Sequence, residues 1–273
     1  MLSVLLFLVL VIIGYLCGSV CSAIIVSQMF SLPDPRVNGS QNPGATNVLR
    51  LAGKKYAAIV LLGDVFKGLL PVLLGKLLGA GPATLGFICL AAVVGHMYPA
   101  FFGFKGGKGV ATALGALLGL HFIMGVVIIA IWLLIANFTR YASLASIVAI
   151  ILAPLLAIVS LGNMDTFPPL LLITILVLYQ HRNNITRLID GEEPKIQHHQ
   201  FSDVVTEEIL QDAPSTAAEA PPFINTEETE VPVVILAEGT ETPPEAPKPA
   251  PEVAVKADIN PETTTNPEPK LEK

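Results

Sequence analysis

Hydrophobic and polar positions are laid out in long blocks rather than in short periods. The first block is apolar and uncharged from Met1 to about Phe30. Further apolar runs lie at about 56–78, 83–102, 122–138, 142–160 and 167–180. An apolar run of about 20 residues matches a bilayer crossing. Residues 110–120 are apolar too, but at about 1.5 Å per residue they reach only half-way across. This run reads as a short helix dipping into the protein, re-entrant or crossing, with 122–138 returning after His121. The pattern predicts an all-α integral membrane protein of seven transmembrane helices, one of them short.

The first run is too long for the apolar core of a signal peptide and lacks its positive start, so it reads as a retained span. Gly14, Gly18, Ser19, Ser22 and Ala23 in it permit close helix packing. The polar stretch from Ser31 to Lys55 holds Pro33, Pro35, Gly39, Pro43 and Gly44, which predicts no regular helix there. Within the second span, Asp64 and Lys67 are spaced i,i+3 and can neutralise each other.

Charge divides the chain in two. Residues 1–190 carry 11 Lys/Arg against four acids, whereas 191–273 carry five lysines and 18 acids. The body is +7 and the remainder −13, so the net −6 describes neither part. A basic membrane body suits anionic ligands or lipid headgroups. Residues 1–195 form the predicted membrane domain. Residues 200–273, rich in Pro, Glu, Thr and Ala, read as a disordered acidic tail, solvated or presented to an unknown partner. Cys17, Cys21 and Cys89 sit in apolar runs without metal spacing and read as small core residues. Nearly all Lys/Arg outside spans fall at 31–55, 103–109, 139–141 and 181–187. Seven helices put all four on the cytoplasmic side if the N-terminus is outside.

Three polar stretches on that side carry candidate chemistry. Gly103–Thr112 offers glycines and two lysines before a helix start, where free N–H groups and the helix dipole favour anions. It is not a nucleotide-binding P-loop. Phe102 stands where the first glycine belongs, and Gly109 replaces the metal-binding hydroxyl after Lys108. It is either another kind of phosphate loop or a mobile surface loop touching lipid. Gly39–Arg50 is dense in hydroxyls and amides and ends in an arginine able to hold phosphate bidentately; read alone, it is also an ordinary capped turn. At 181–188, a helix would put His181 and Asn184 on one face, as a base and its partner or as a basic interfacial end. The stretches hold no activated nucleophile and no acid cluster for a metal. Acyl or phosphoryl transfer here needs a substrate that is already activated.

Taken together, these stretches resemble the motifs of the bacterial acyl-phosphate:glycerol-3-phosphate acyltransferases, the PlsY family. Gly39–Arg50 resembles its GSxNPGATNxxR motif. Gly95-His96, Pro99 and Phe104–Thr112 are similar to its second motif, and His181–Leu188 with Gly191 and Glu193 to its third. Gln41 stands where glycine is expected, and Tyr98 where phenylalanine is common. The resemblance covers about 1–195. It implies an inner-membrane enzyme that moves an acyl group from acyl phosphate to glycerol 3-phosphate, giving 1-acyl-glycerol 3-phosphate (lysophosphatidic acid). It implies no metal, cofactor or nucleic acid, and a monomer in membrane lipid.

Carried over by motif, the catalytic candidates are Ser40, Lys108, His181 and Asn184. Arg50, Ser40, Asn42, Thr46, Asn47, Gly106, Gly107, Lys108, Gly109 and Thr112 are expected to bind substrate, and Glu193 to hold structure. The expected mechanism is direct attack without a covalent enzyme intermediate. The Gly106 and Gly107 amides, the helix start and Lys108 would grip the donor's phosphate, and Arg50 and Ser40 the acceptor's. A small transporter for an anionic solute, using Asp64, Lys67 and the short helix, is the alternative.

Overall fold

The structure, a computed structural model, describes residues 2–196. The acidic tail expected at 200–273 lies outside the described residues. Every regular element within them is helical. The first span is broken: α1 (Leu2–Gly18) and α2 (Ser22–Met29) are separated by Ser19–Cys21. There follow α3 (Ala45–Ala52), α4 (Lys54–Leu77), α5 (Pro82–Met97), α6 (Val110–Leu120), α7 (Phe122–Thr139), α8 (Ala142–Leu161), α9 (Phe167–Gln180) and α10 (Arg182–Ile189).

Among the described residues, five helical stretches are long and apolar enough to cross a membrane: Ser3–Met29, Lys54–Leu77, Pro82–Phe102, Phe122–Thr139 and Ala142–Leu161. The chain is a multi-pass membrane protein. The other two predicted spans are helices of 11 and 14 residues, α6 and α9. A helix of 11 residues is about 16 Å long and needs protein around it. α6 has that, since Thr112–Leu117, Gly119 and Leu120 are all buried.

Small residues set the packing. A Cβ on Gly18 would lie 2.1 Å from the Ala92 carbonyl oxygen, so α1 meets α5 backbone to backbone. α4 and α6 meet likewise: a Cβ on Gly68 would lie 2.1 Å from the Thr112 oxygen, and one on Gly115 2.0 Å from that of Val65. α5 is the central helix, with 61% of its apolar window buried against 22% for α7, which leaves most of α7 facing outward. Cys21 and Cys89 are buried and Cys17 half-buried, all as free thiols.

The stretch from Ser31 to Lys55 corrects one expectation, because it contains α3. Its helix breakers precede Ala45 except Gly53, which ends α3, and the eight residues after Gly44 contain neither Gly nor Pro. α3 is strongly amphipathic and buries Val48 with Cys21, Ile24 and Val60, so it lies as a cover over α2 and the start of α4.

Candidate active site

The loop before α3 is folded around one amide. Asn47, 1% exposed, accepts from the Ser40 backbone N–H at 2.9 Å. Its Nδ2 donates to the carbonyls of Pro35 and Asn38, both at 3.0 Å. Gly39 and Gln41 adopt positive φ there, at 63° and 57°. This explains why glycine is the easier residue at position 41. Asp34 closes the outer edge of the loop on Arg36 at 2.7 Å. Ser40, Thr46 and Arg50 are left on the surface, and Asn42 is half-buried.

The glycine turn is pinned from beneath. Gly106 N–H donates to the Met97 carbonyl at 3.1 Å and Gly107 N–H to the His96 carbonyl at 3.2 Å. Those amides are therefore engaged internally in this structure rather than left free for an anion. The glycines are needed for fit instead: a Cβ on Gly106 would lie 1.9 Å from the His96 oxygen, and one on Gly107 2.3 Å from His96 Nε2. Gly109, at φ 84°, turns the chain into α6, whose first amides have no partner within the helix. The free amides, where a helix start favours an anion, thus lie along the chain at the first turn of α6. Thr112 is wholly buried, where the backbone of α6 meets Gly68 of α4.

The third stretch closes onto the second. Lys108 Nζ donates to Asn184 Oδ1. Asn184 Nδ2 donates to Glu193 Oε1 at 2.6 Å, and Arg187 Nε to Glu193 Oε2 at 2.8 Å. Glu193 reaches inward because Ile196 is tied to the α7–α8 turn. Its N–H donates to the Arg140 carbonyl at 2.7 Å, and Arg140 Nη2 donates to its carbonyl at 3.0 Å. The first stretch touches the same place, since a Cβ on Gly107 would lie 3.0 Å from the Pro43 oxygen.

His181, between α9 and α10 and 3% exposed, has Nδ1 2.8 Å from the Val177 carbonyl. A carbonyl only accepts, so Nδ1 carries the proton and Nε2 keeps its lone pair. Burial, reinforced by the charge of Lys108, pushes the His181 pKa down to about 4, although the Val177 bond opposes this. Burial also lowers Lys108 to about 8. Glu193 works against that shift, and the charges of Arg187 and Arg50 work with it.

The structure thus brings Lys108, Asn184, Glu193 and His181 to one end of the bundle, with Arg50 close enough to act on Lys108. Asn47 and Thr112 are buried, and Asn47 is fully engaged. Ser143, in the first turn of α8, was not among the expected residues. Its hydroxyl is buried without a completed hydrogen bond, beside Glu193. A serine opening an apolar helix carries no local signal of such a place.

A family model described as Glycerol-3-phosphate acyltransferase matches residues 8–191. A glycerol-3-phosphate acyltransferase of Legionella pneumophila (strain Corby) is 60% identical over 214 residues, 78% of this chain and 76% of that protein. One from Methylococcus capsulatus is 49% identical over 183 residues, 67% and 92% of the two chains. Among solved structures, the chain is similar to the integral membrane glycerol 3-phosphate acyltransferase PlsY in its glycerol 3-phosphate form. There the TM-score is 0.66, with 41% identity over 75% of this chain and 98% of that one. The lysophosphatidic acid form gives 0.64 and 42%, over 69% and 94%. Fold and likeness together define an integral membrane acyltransferase. The chain belongs to the glycerol-3-phosphate acyltransferase family, that of PlsY.

Proposed function

We propose that this acyltransferase takes its acyl group from acyl phosphate and gives it to the sn-1 hydroxyl of glycerol 3-phosphate, by direct attack. The observation that carries this reading is the Lys108–Asn184–Glu193–Arg187 chain beside a neutral His181. It offers cationic grip and one free imidazole lone pair, but no nucleophile primed for a covalent step. Lys108 and the first amides of α6 hold the donor's phosphate. Arg50 and Ser40 hold that of glycerol 3-phosphate, with Asn42 and Thr46 at the rim. His181 Nε2 accepts a hydrogen bond from the sn-1 hydroxyl and Asn184 holds Lys108 in place.

The hydroxyl oxygen attacks the acyl carbon, the bond from that carbon to the phosphate oxygen breaks, and the electron pair leaves on phosphate. Lys108 stabilises that charge. Burial keeps the His181 imidazole a weak base, which favours the departing phosphate over His181 as the place for the hydroxyl proton. Binding both substrates side by side supplies proximity.

In this reading all seven apolar segments cross, α6 and α9 inside the bundle. The N-terminus lies outside the bacterial inner membrane, and the basic loops with the site lie in the cytoplasm. The protein works as a monomer, and residues 200–273 are a separate acidic tail. Deleting that tail should leave turnover intact. The transporter alternative loses its main support, because Asp64 and Lys67 close on each other at 2.8 Å. Release of phosphate from palmitoyl phosphate that depends on glycerol 3-phosphate tests the proposal; absence of turnover by folded protein would refute it.

A further inference from the structure

Three ionisable side chains lie in the apolar interior away from the reacting groups. Asp64, Lys67 and His96 are 2%, 7% and 5% exposed. Lys67 Nζ lies 2.8 Å from Asp64 Oδ1 and donates to the Val20 carbonyl at 2.7 Å. Val20 lies in the break between α1 and α2, where the backbone has left helical bonding. His96 Nδ1 is 3.6 Å from the same Asp64 oxygen. The other side of His96 is the floor of the glycine turn. Its carbonyl accepts from Gly107 N–H, and its Nε2 lies 2.3 Å from where a Cβ on Gly107 would be.

Buried ion pairs are poor stabilisers, since apolar replacements often do as well. Ionisable residues inside a membrane protein more often mark function. This group touches the turn that carries Lys108 and touches no reacting atom. We propose that Asp64, Lys67 and His96 are positioning residues that fix the Gly106–Gly107 turn against the break in the first span, and so set where Lys108 meets substrate. The inference rests on the assignment of Lys108 to the donor's phosphate.

The test is steady-state acyl transfer by the full-length protein carrying His96→Leu, His96→Gln, Asp64→Leu with Lys67→Met, and Lys108→Ala, with folding checked by monodispersity and thermal transition. Leu fills the space of the imidazole without its polarity, whereas Gln can still reach Asp64. His96→Leu should lower kcat about 10–100-fold, the scale of a catalytic group displaced by 1 Å, with KM for glycerol 3-phosphate nearly unchanged. The paired apolar variant should do the same, and His96→Gln should recover most of the rate. Folded His96→Leu with wild-type kcat, or Leu and Gln equally impaired, overturns the proposal. If His96→Leu does not fold, Gly106→Ala, which lifts the same turn, must show the same loss of kcat. Wild-type kcat there overturns the proposal too. Lys108→Ala separates the two readings. Full activity in it removes the Lys108 assignment itself, whereas impaired Lys108→Ala beside fully active His96→Leu removes only the positioning network.

Discussion

Glu193 should be the most informative single residue, because the same two bonds would tie stability to the proposed catalysis. Its side chain is 6% exposed and accepts from Asn184 at 2.6 Å and Arg187 at 2.8 Å. Glu193→Ala leaves the Asn184 amide unpaired in a buried site, at about 1.5–3 kcal/mol for a bond to a charged acceptor. The Arg187 bond adds less, about 0.5–1 kcal/mol, since that side chain is 40% exposed and solvent screens it. The sum is about 2–4 kcal/mol. Asn184 then no longer fixes Lys108, and kcat should fall about tenfold or more. Glu193→Gln keeps the shape but turns an N–H donor toward one of its two donors, so it should lose about half as much.

A pH signature accompanies the loss. Burial alone would raise the Glu193 pKa, but the neighbouring Ser143 hydroxyl, the hydrogen bonds from Asn184 and Arg187 and the Arg187 charge bring it below the usual 4.5. Its contribution is therefore present above pH 4.5 and is lost as pH falls through the lower folded value. The alanine variant should lack that acid-dependent loss. Thermal unfolding in detergent from pH 3 to 7, as a rough span around the carboxylate range, with turnover at neutral pH, measures both effects. A Glu193→Ala protein with wild-type stability and kcat would refute the reasoning.

Other outcomes follow from the same geometry. Arg50→Lys should lower kcat/KM for glycerol 3-phosphate, and Arg50→Ala should cost about 2–5 kcal/mol of transition-state binding; equal rates for Lys and wild type would exclude bidentate holding. If charged Lys108 holds the donor's phosphate as proposed, kcat/KM should fall as pH rises through about 8, and Lys108→Arg should move that limb well upward. A rate profile with an unmoved alkaline limb would assign it to another group. Gly18→Ala puts a methyl 2.1 Å from the Ala92 oxygen and should destabilise the α1–α5 contact by about 1–3 kcal/mol, read as a lower thermal transition in detergent.

Long apolar blocks were legible from hydropathy alone. Residues 110–120 and 167–180 are helices with those bounds, and the Asp64–Lys67 spacing is a closed ion pair. The break at Ser19–Cys21 was hidden, because small and apolar residues leave no period to interrupt. α3 was hidden because prolines and glycines crowd the residues before it and only eight residues run clean after Gly44. At the site, local chemistry pointed to Lys108, His181 and Asn184, while long-range bonds decided everything around them. Gly106 and Gly107 looked like phosphate donors, yet their amides bond to α5, nine residues earlier in the chain in one case and 11 in the other. Asn47 looked like a ligand group, yet it ties residues seven to twelve positions away. Such partners follow from the fold, not from spacing.

The central claim is that this chain transfers an acyl group from acyl phosphate directly to glycerol 3-phosphate at the Lys108–His181 site. The most direct measurement is phosphate release from palmitoyl phosphate by the purified full-length protein, with and without glycerol 3-phosphate, beside Lys108→Ala and His181→Ala. The account predicts release that requires glycerol 3-phosphate, matches lysophosphatidic acid formation, and collapses in both variants. Release without the acceptor, or full activity in either folded variant, would contradict it.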